Sequence, residues 1–337
     1  MPSHRLSGKT KNKGHAQTSN PLKHRYIAPL VVVVSAVLLA VLLRAQVVRP
    51  YGPDFLEYYA LAQQLKGNPH HCEAAVDTVG PRLDSRFNIT VDVCESNIRF
   101  FSSRTAYVRI VALSDNPDFM LFVNVGSFIL AVALLAFVSP WAGAVGAVYF
   151  LWTRIALTVA TDMYSVLVFL LIYVLYRKGS LSYLFFLAYY SFLREQALVL
   201  TLVFILDSLR RRQYKILAPL LVLAVLQFAG GGGSFKEKYA WSFMQNAGEG
   251  STFTSFWLHQ IPVATKEMVL RLGFYLPPIA VLMFLMRKKP HLFDILLTLL
   301  LLGFYWITQY VDTRYYIPYI AAIALITDAF SDPQKDT

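Results

Sequence analysis

Apolar runs long enough to cross a bilayer recur along almost the whole chain, and no other feature limits its fold so severely. They fall near 27–48, 119–138, 141–160, 163–176, 181–193, 196–206, 216–229, 267–286, 291–310 and 315–329. In hydrocarbon every backbone N–H and C=O must be satisfied by the chain itself, so runs of this kind fold as helices. About 20 residues carry a helix across; the runs within 163–206 are mostly shorter, and broken or shallow helices are expected there. Composition agrees, since 56% of the 337 residues are hydrophobic and 15% charged, against roughly 45–50% and 25% in soluble domains. Mean hydropathy is +0.48. The expectation is an all-α polytopic membrane protein with about ten transmembrane or partly spanning helices.

The net charge of +11 would suggest a nucleic-acid partner in a soluble protein. Here the basic residues gather in four places: a tail with Arg5, Lys9, Lys11, Lys13, Lys23 and Arg25, then Arg177-Lys178, Arg210 to Arg212 with Lys215, and Arg287 to Lys289. With ten crossings an even number separates each cluster from the next. That puts all four on one face, the cytoplasmic one by the positive-inside rule, and leaves no nucleic-acid partner to invoke. The expected organisation is a disordered basic cytoplasmic tail at 1–25, a membrane domain at 26–330 with outer loops at 49–118 and 230–266, and a cytoplasmic tail at 331–337. The first apolar run is long and is followed by Arg44 and Gln46 without a small-residue cleavage site, which favours a retained helix over a secretory signal.

The first outer loop holds both cysteines, Cys72 and Cys94. A bridge is expected there because oxidation is permitted outside the cytoplasm; two unpaired thiols are the alternative. The segment from Tyr51 to Gly67 reads as a short helix opened by Pro53 and Asp54 and ended by Gly67, lying along the membrane interface with its tyrosines at headgroup depth. Asp54-x-x-Glu57 has the spacing of a capping box, a structural role that a substrate-facing carboxylate can share.

With this topology one polar set converges on the outer face: Asp54, Glu57, Arg104, Arg109, Arg154, Asp162, Arg194, Glu195, Lys236, Lys238, His259, Asp312 and Arg314. Charge near the bilayer is costly and calls for a functional hypothesis. Mixed carboxylates and guanidinium groups at several helix ends suit an anionic substrate. The plainer readings are helix-end snorkelling for the arginines, a solvated loop for the lysines and an interfacial contact for His259. Gly230 to Gly233 act as a hinge, not a phosphate loop, because no Gly-Lys-Ser/Thr follows. No His-Glu-x-x-His, Cys-x-x-Cys or Gly-x-Ser-x-Gly is present, against a zinc protease, a redox motif or a lipase-type serine site.

Asp54 followed by Glu57-Tyr58-Tyr59 and Ala60-Leu61-Ala62, just beyond the first span, resembles the first outer loop of the GT-C superfamily of membrane glycosyltransferases. Thr161-Asp162, Phe192-Leu193-Arg194-Glu195 and Asp312 to Pro318 resemble the same pattern in the same order. The likeness is nearest to the polyprenyl-phosphate-sugar-dependent mannosyl- and arabinosyltransferase-like families. It implies a multi-pass protein of a bacterial inner or plasma membrane that transfers a hexose or pentose from a polyprenyl-phosphate donor to a glycan or lipid hydroxyl outside the cytoplasm. Such chemistry needs a carboxylate to take the acceptor's proton and cations to stabilise the departing phosphate. Asp54, with Glu57, suits the first task; Arg194, Arg314, Lys236, Lys238 and His259, flanked by Asp162 and Glu195, suit the second. Metal use stays open: Asp54, Glu57 and Asp162 offer oxygen ligands to a divalent cation. A transporter or flippase, or a polymerase or ligase of lipid-linked glycans, is the competing reading; a transporter would show internal repeats and a mid-membrane site.

Overall fold

Helices are the only regular elements among the described residues. The computed structural model describes residues 21–45, 51–83, 89–101, 104–153, 155–158, 162–194, 196–230, 292–308 and 313–330, with 258–273 in part. Among them α1 is Pro21–Arg44, α2 Pro53–Leu65, α3 His71–Val79, α4 Val91–Phe101, α5 Thr105–Val111, α6 Asp118–Val138 and α7 Pro140–Trp152. Then follow α8 Asp162–Arg177, α9 Tyr183–Tyr190, α10 Ala197–Arg210, α11 Tyr214–Gly230, α12 Leu292–Thr308 and α13 Thr313–Phe330. The described residues form no strand, only one isolated parallel bridge between Tyr51 and Leu83.

Among the described residues two helices, Tyr26–Arg44 and Asp118–Val138, are long and apolar enough to cross a membrane. The runs expected at 163–176, 181–193 and 196–206 fold as α8, α9 and α10, of 16, 8 and 14 residues, all shorter than the roughly 20 of a full span. Most of the expected run at 267–286, the loop at 230–266 and both chain ends at 1–20 and 331–337 lie outside the described residues.

The long helices pack as neighbours. A single residue, Ser139, turns α6 into α7, with Pro140 in the first turn and the Ser139 hydroxyl accepting from the Ala142 amide at 3.4 Å, a serine cap that satisfies one of the free amides. The two helices approach so closely that a Cβ at Gly143 would stand 2.5 Å from the Ala136 Cβ. α1 lies on α6 and α7, α13 on α6, α7 and α8, and α12 on α10 and α13. At the C-terminal end of α8, Arg177 meets the buried Asp294 of α12 at 3.3 Å and Tyr173 donates to the same carboxylate. Beside it Asp207 of α10 accepts from Tyr176, Arg210 and Arg211. The basic residues read from sequence as orientation signals are therefore also fasteners of this end of the bundle.

Between α1 and α6 the chain builds a small helical cap from α2 to α5. Phe55 to Ala62 of α2 are buried, Tyr58 fully and Tyr59 all but 4%, because α3, α4 and α5 each pack on α2. This corrects the expectation of tyrosines set at headgroup depth. Each such side chain contributes on the order of 1.5–3 kcal/mol by leaving water, more than an exposed interfacial position would yield. Gly67, with φ +84, ends the helix as the sequence suggested. The cap is fastened to the head of α6: Tyr51 donates to Asp118 at 2.5 Å, Arg82 to the same oxygen at 2.8 Å, and the Tyr59 hydroxyl to the Asp115 carbonyl at 2.8 Å.

Cys72 of α3 and Cys94 of α4 form a buried disulfide with Cα atoms 5.8 Å apart. Because a 22-residue separation is closed, the double variant Cys72→Ser/Cys94→Ser is expected to lose about 3 kcal/mol. Thermal unfolding of the two purified proteins measures it, and superimposable transitions would contradict a stabilising bridge.

Candidate active site

Asp54 lies in the first turn of α2, the first helix of the cap. Gly52 caps α2, Pro53 occupies its first position, and no side chain closes the cap. The capping box is thus not formed: Pro53 has no amide hydrogen and starts the helix itself, so Asp54 falls inside the first turn. Asp54, Glu57 and Tyr58 are spaced i, i+3 and i+4 and share one face of α2.

Asp54 is half-buried at the rim, whereas Glu57 is only 3% exposed. Asn97 of α4 donates to the Glu57 carboxylate, yet Oε2 of Glu57 has no hydrogen-bond partner among the described residues. Burial first, and the Asp54 charge second, push Glu57 up to about 8, so it is mostly a neutral carboxylic acid at pH 7. The neighbouring phenols follow the same logic. Tyr58 and Tyr107 are raised above the ordinary range, chiefly by burial, and both feel Asp54 and Arg194. Their rings meet edge to face with centroids 4.8 Å apart. Arg104, at the head of α5, donates to the Tyr58 hydroxyl and lies 5.6 Å from the centroid of Phe101, a cation over an aromatic face.

The floor comes from α8 and from the turn between α9 and α10. Asp162 opens α8, and Arg194 pairs with its carboxylate while donating from Nε to Ser165 at 3.3 Å. Both partners are buried, at 3% each, which overturns snorkelling as the account of Arg194. Tyr190 donates to Gln196 at 2.6 Å across the turn that presents Arg194. The Ala106 amide donates to the Phe192 carbonyl at 3.2 Å, so the cap is latched to the strip of chain that carries the arginine. Asn124 of α6 reaches the carbonyls of Ile155, Ala156 and Thr158 at 3.1, 3.1 and 2.8 Å, and thereby holds the irregular turn that leads to Asp162.

The chain matches no protein-family profile, no curated protein and no solved structure. Its chemistry rests on the geometry alone.

Of the residues singled out in the sequence, Asp54, Glu57, Arg104, Asp162 and Arg194 are brought together. Arg109 is exposed on α5. Arg314 lies in the first turn of α13 with its side chain outside the described residues, as are Arg154, Glu195, Lys236, Lys238, His259 and Asp312 altogether. A three-carboxylate ligand set of Asp54, Glu57 and Asp162 is not assembled: no cluster of three or more His, Cys, Asp or Glu suited to a metal ion occurs among the described residues, and Asp162 is engaged by Arg194. Sequence reading gave no chemical role to Tyr58, Tyr107, Asn97, Asn124 or Ser165. The i+4 spacing from Asp54 was the one available signal for Tyr58; the others reach the site only through tertiary packing.

The state of Glu57 has a measurable consequence. Unfolded, it ionises in the usual carboxylate range; folded, it holds its proton to about pH 8. The folded state therefore binds the extra proton between those limits, and stability falls as pH rises through that window. Glu57→Gln removes the dependence. The variant is expected to match the wild type in melting temperature near pH 5 and to exceed it at pH 8.5; parallel curves across that range would contradict a buried, proton-holding Glu57.

Proposed function

We propose that the chain is a GT-C-like membrane glycosyltransferase, which transfers a sugar from a polyprenyl-phosphate donor to a hydroxyl acceptor at the extracytoplasmic face. The observation that carries this reading is the meeting of a half-buried carboxylate, Asp54, with a buried carboxylic acid, Glu57, two buried phenols and the guanidinium groups of Arg104 and Arg194. Asp54 is the general base for the acceptor hydroxyl. Arg104, half-buried and donating to Tyr58, is assigned to the leaving phosphate in this reading, together with Arg314 at the head of α13. Arg194 serves by holding the floor through Asp162, which narrows the phosphate-binding role first assigned to it. Lys236, Lys238 and His259 complete the phosphate side in this reading.

A multi-pass arrangement is supported by outward apolar side chains well beyond the two long helices, among them Leu202 and Leu206 of α10, Leu221, Val222, Val225 and Leu226 of α11, and Leu299 of α12. Apolar patches this extensive need lipid or protein to cover them. The cap with its disulfide then lies outside the cytoplasm, where cystine persists, and the Arg177, Arg210 and Arg211 end faces the cytoplasm. Purified full-length protein supplied with a panel of polyprenyl-phosphate hexoses and pentoses is expected to release polyprenyl phosphate from at least one of them in an acceptor-dependent manner. Absence of turnover with every donor, in protein whose fold is verified by its thermal transition, would overturn the reading.

A further inference from the structure

Three helices, α2, α8 and α10, end in the same way. The amides of Gly67 and Asn68 donate back to Gln64 and Gln63 at 2.9 and 3.0 Å, those of Gly179 and Ser180 to Tyr176 and Leu175 at 2.9 and 3.0 Å, and those of Arg212 and Gln213 to Leu209 and Ser208 at 3.1 and 2.8 Å. This closure places a left-handed residue just past the C-cap, and glycine is its ordinary occupant. α2 and α8 use Gly67 at φ +84 and Gly179 at φ +70, whereas α10 uses Arg212 at φ +57, the one non-glycine residue with positive φ among those described. An L side chain in that region costs backbone energy that glycine would not, so the Arg212 side chain stands there at the expense of stability. It is exposed, as is Lys215. Among the described residues the ion pairs of this turn are those of Asp207 with Arg210 and Arg211, at 2.9 and 2.7 Å, and neither Arg212 nor Lys215 joins one. Residues 207–215 thus set four cations against one carboxylate.

The neighbouring surface identifies what such charge would meet. Leu202, Leu206 and Leu209 form an exposed apolar strip along one face of α10 that stops where the arginines begin. α11 packs on α10 and exposes Val222 and Val225. Tyr214, exposed in the first turn of α11, stands at the boundary of charged and apolar surface, as an aromatic at headgroup depth does. A soluble anion would use the cations alone. A phospholipid uses both surfaces, its phosphate against the cations and its acyl chains along the strip. We infer that the turn joining α10 to α11 binds the headgroup of an anionic phospholipid, with Arg212 and Lys215 as its contacts and Arg210 and Arg211 held alongside by Asp207.

This inference is independent of the catalytic reading and needs only that the chain lie in a bilayer. Full-length protein in a neutral detergent is titrated with dioleoylphosphatidylglycerol, dioleoylphosphatidylcholine or inorganic phosphate, and binding is read as a rise in melting temperature. The wild type is expected to be stabilised by phosphatidylglycerol, less so at high salt, and little by the other two. Arg212→Gly relieves the backbone, so without lipid it should melt above the wild type, yet bind phosphatidylglycerol about fivefold more weakly; adding Lys215→Gln should weaken binding by a further factor of about five. Arg212→Lys keeps the charge and should bind as the wild type does. Equal stabilisation by phosphatidylcholine or by inorganic phosphate, or wild-type affinity in Arg212→Gly, overturns the lipid site. A lipid-free Arg212→Gly that melts below the wild type would give the arginine a structural role and overturn it as well. Lipid binding that depends on Arg212 in a protein that turns over no sugar donor would retain this site and overturn the transferase.

Discussion

Arg194→Ala is expected to lower the stability of the folded chain by about 3–5 kcal/mol, the largest loss at any single position of the site. The substitution leaves the Asp162 carboxyl 3% exposed with the Arg194 guanidinium gone, and removing one partner of a buried ion pair costs far more than the pair is worth. Asp162→Ala should behave alike, since it strands the guanidinium. The pair Asp162→Leu/Arg194→Met removes both charges and is expected to recover most of the loss, because the surrounding Met163, Val166 and Leu193 are buried and apolar. Its activity is not expected to recover, because the turn that latches Ala106 through Phe192 would no longer be pinned to α8. Arg194→Lys separates charge from geometry: the ammonium can still meet Asp162 but loses the fork that also reaches Ser165. Chemical denaturation of the four variants measures the cycle. Additive single losses, with no recovery in the apolar pair, would contradict a coupled buried ion pair.

How much of this was legible in the residues follows from what each feature depends on. The all-helical class follows from apolar runs whose backbone must satisfy itself, and the end of α2 was marked by Gly67. The pairing of Cys72 with Cys94 followed from their isolation in one loop. What the sequence misplaced was depth. Tyr58 and Tyr59 carry the pattern of an interfacial belt, and only the packing of α3, α4 and α5 on α2 makes them core. The capping box failed because Pro53 starts the helix one position ahead of Asp54, a choice the Asp-x-x-Glu spacing does not encode. Arg194 and Asp162 were legible as site residues because charge is rare in apolar surroundings, but their partnership across 32 positions was not. Tyr107, Asn97 and Asn124 are ordinary residues in ordinary sequence, and tertiary contact alone gives them roles.

Asp54→Asn is expected to leave the fold intact and to lower the transfer rate by roughly 10²–10⁴-fold, the usual loss when a positioned base is removed. Size and hydrogen-bonding capacity are nearly kept, and the cap of α2 does not depend on the side chain, since Gly52 provides the capping position without one. Stability should therefore change by less than about 1 kcal/mol. The amide cannot take the acceptor's proton. It also removes the charge that helps keep Glu57 protonated, so the carboxyl of Glu57 should ionise at lower pH in the variant. Glu57→Gln is expected to be milder in rate, because a neutral amide resembles the neutral acid it replaces.

The most direct test of a catalytic base at position 54 is the single-turnover rate of sugar transfer by purified Asp54→Asn, saturated with the polyprenyl-phosphate sugar that the wild type uses. The expected result is unchanged donor binding and thermal stability with a rate at least 100-fold below wild type. A variant that transfers sugar within a few-fold of the wild-type rate would contradict the assignment and leave Asp54 a rim carboxylate that serves only to bias the charge of Glu57, Tyr58 and Tyr107.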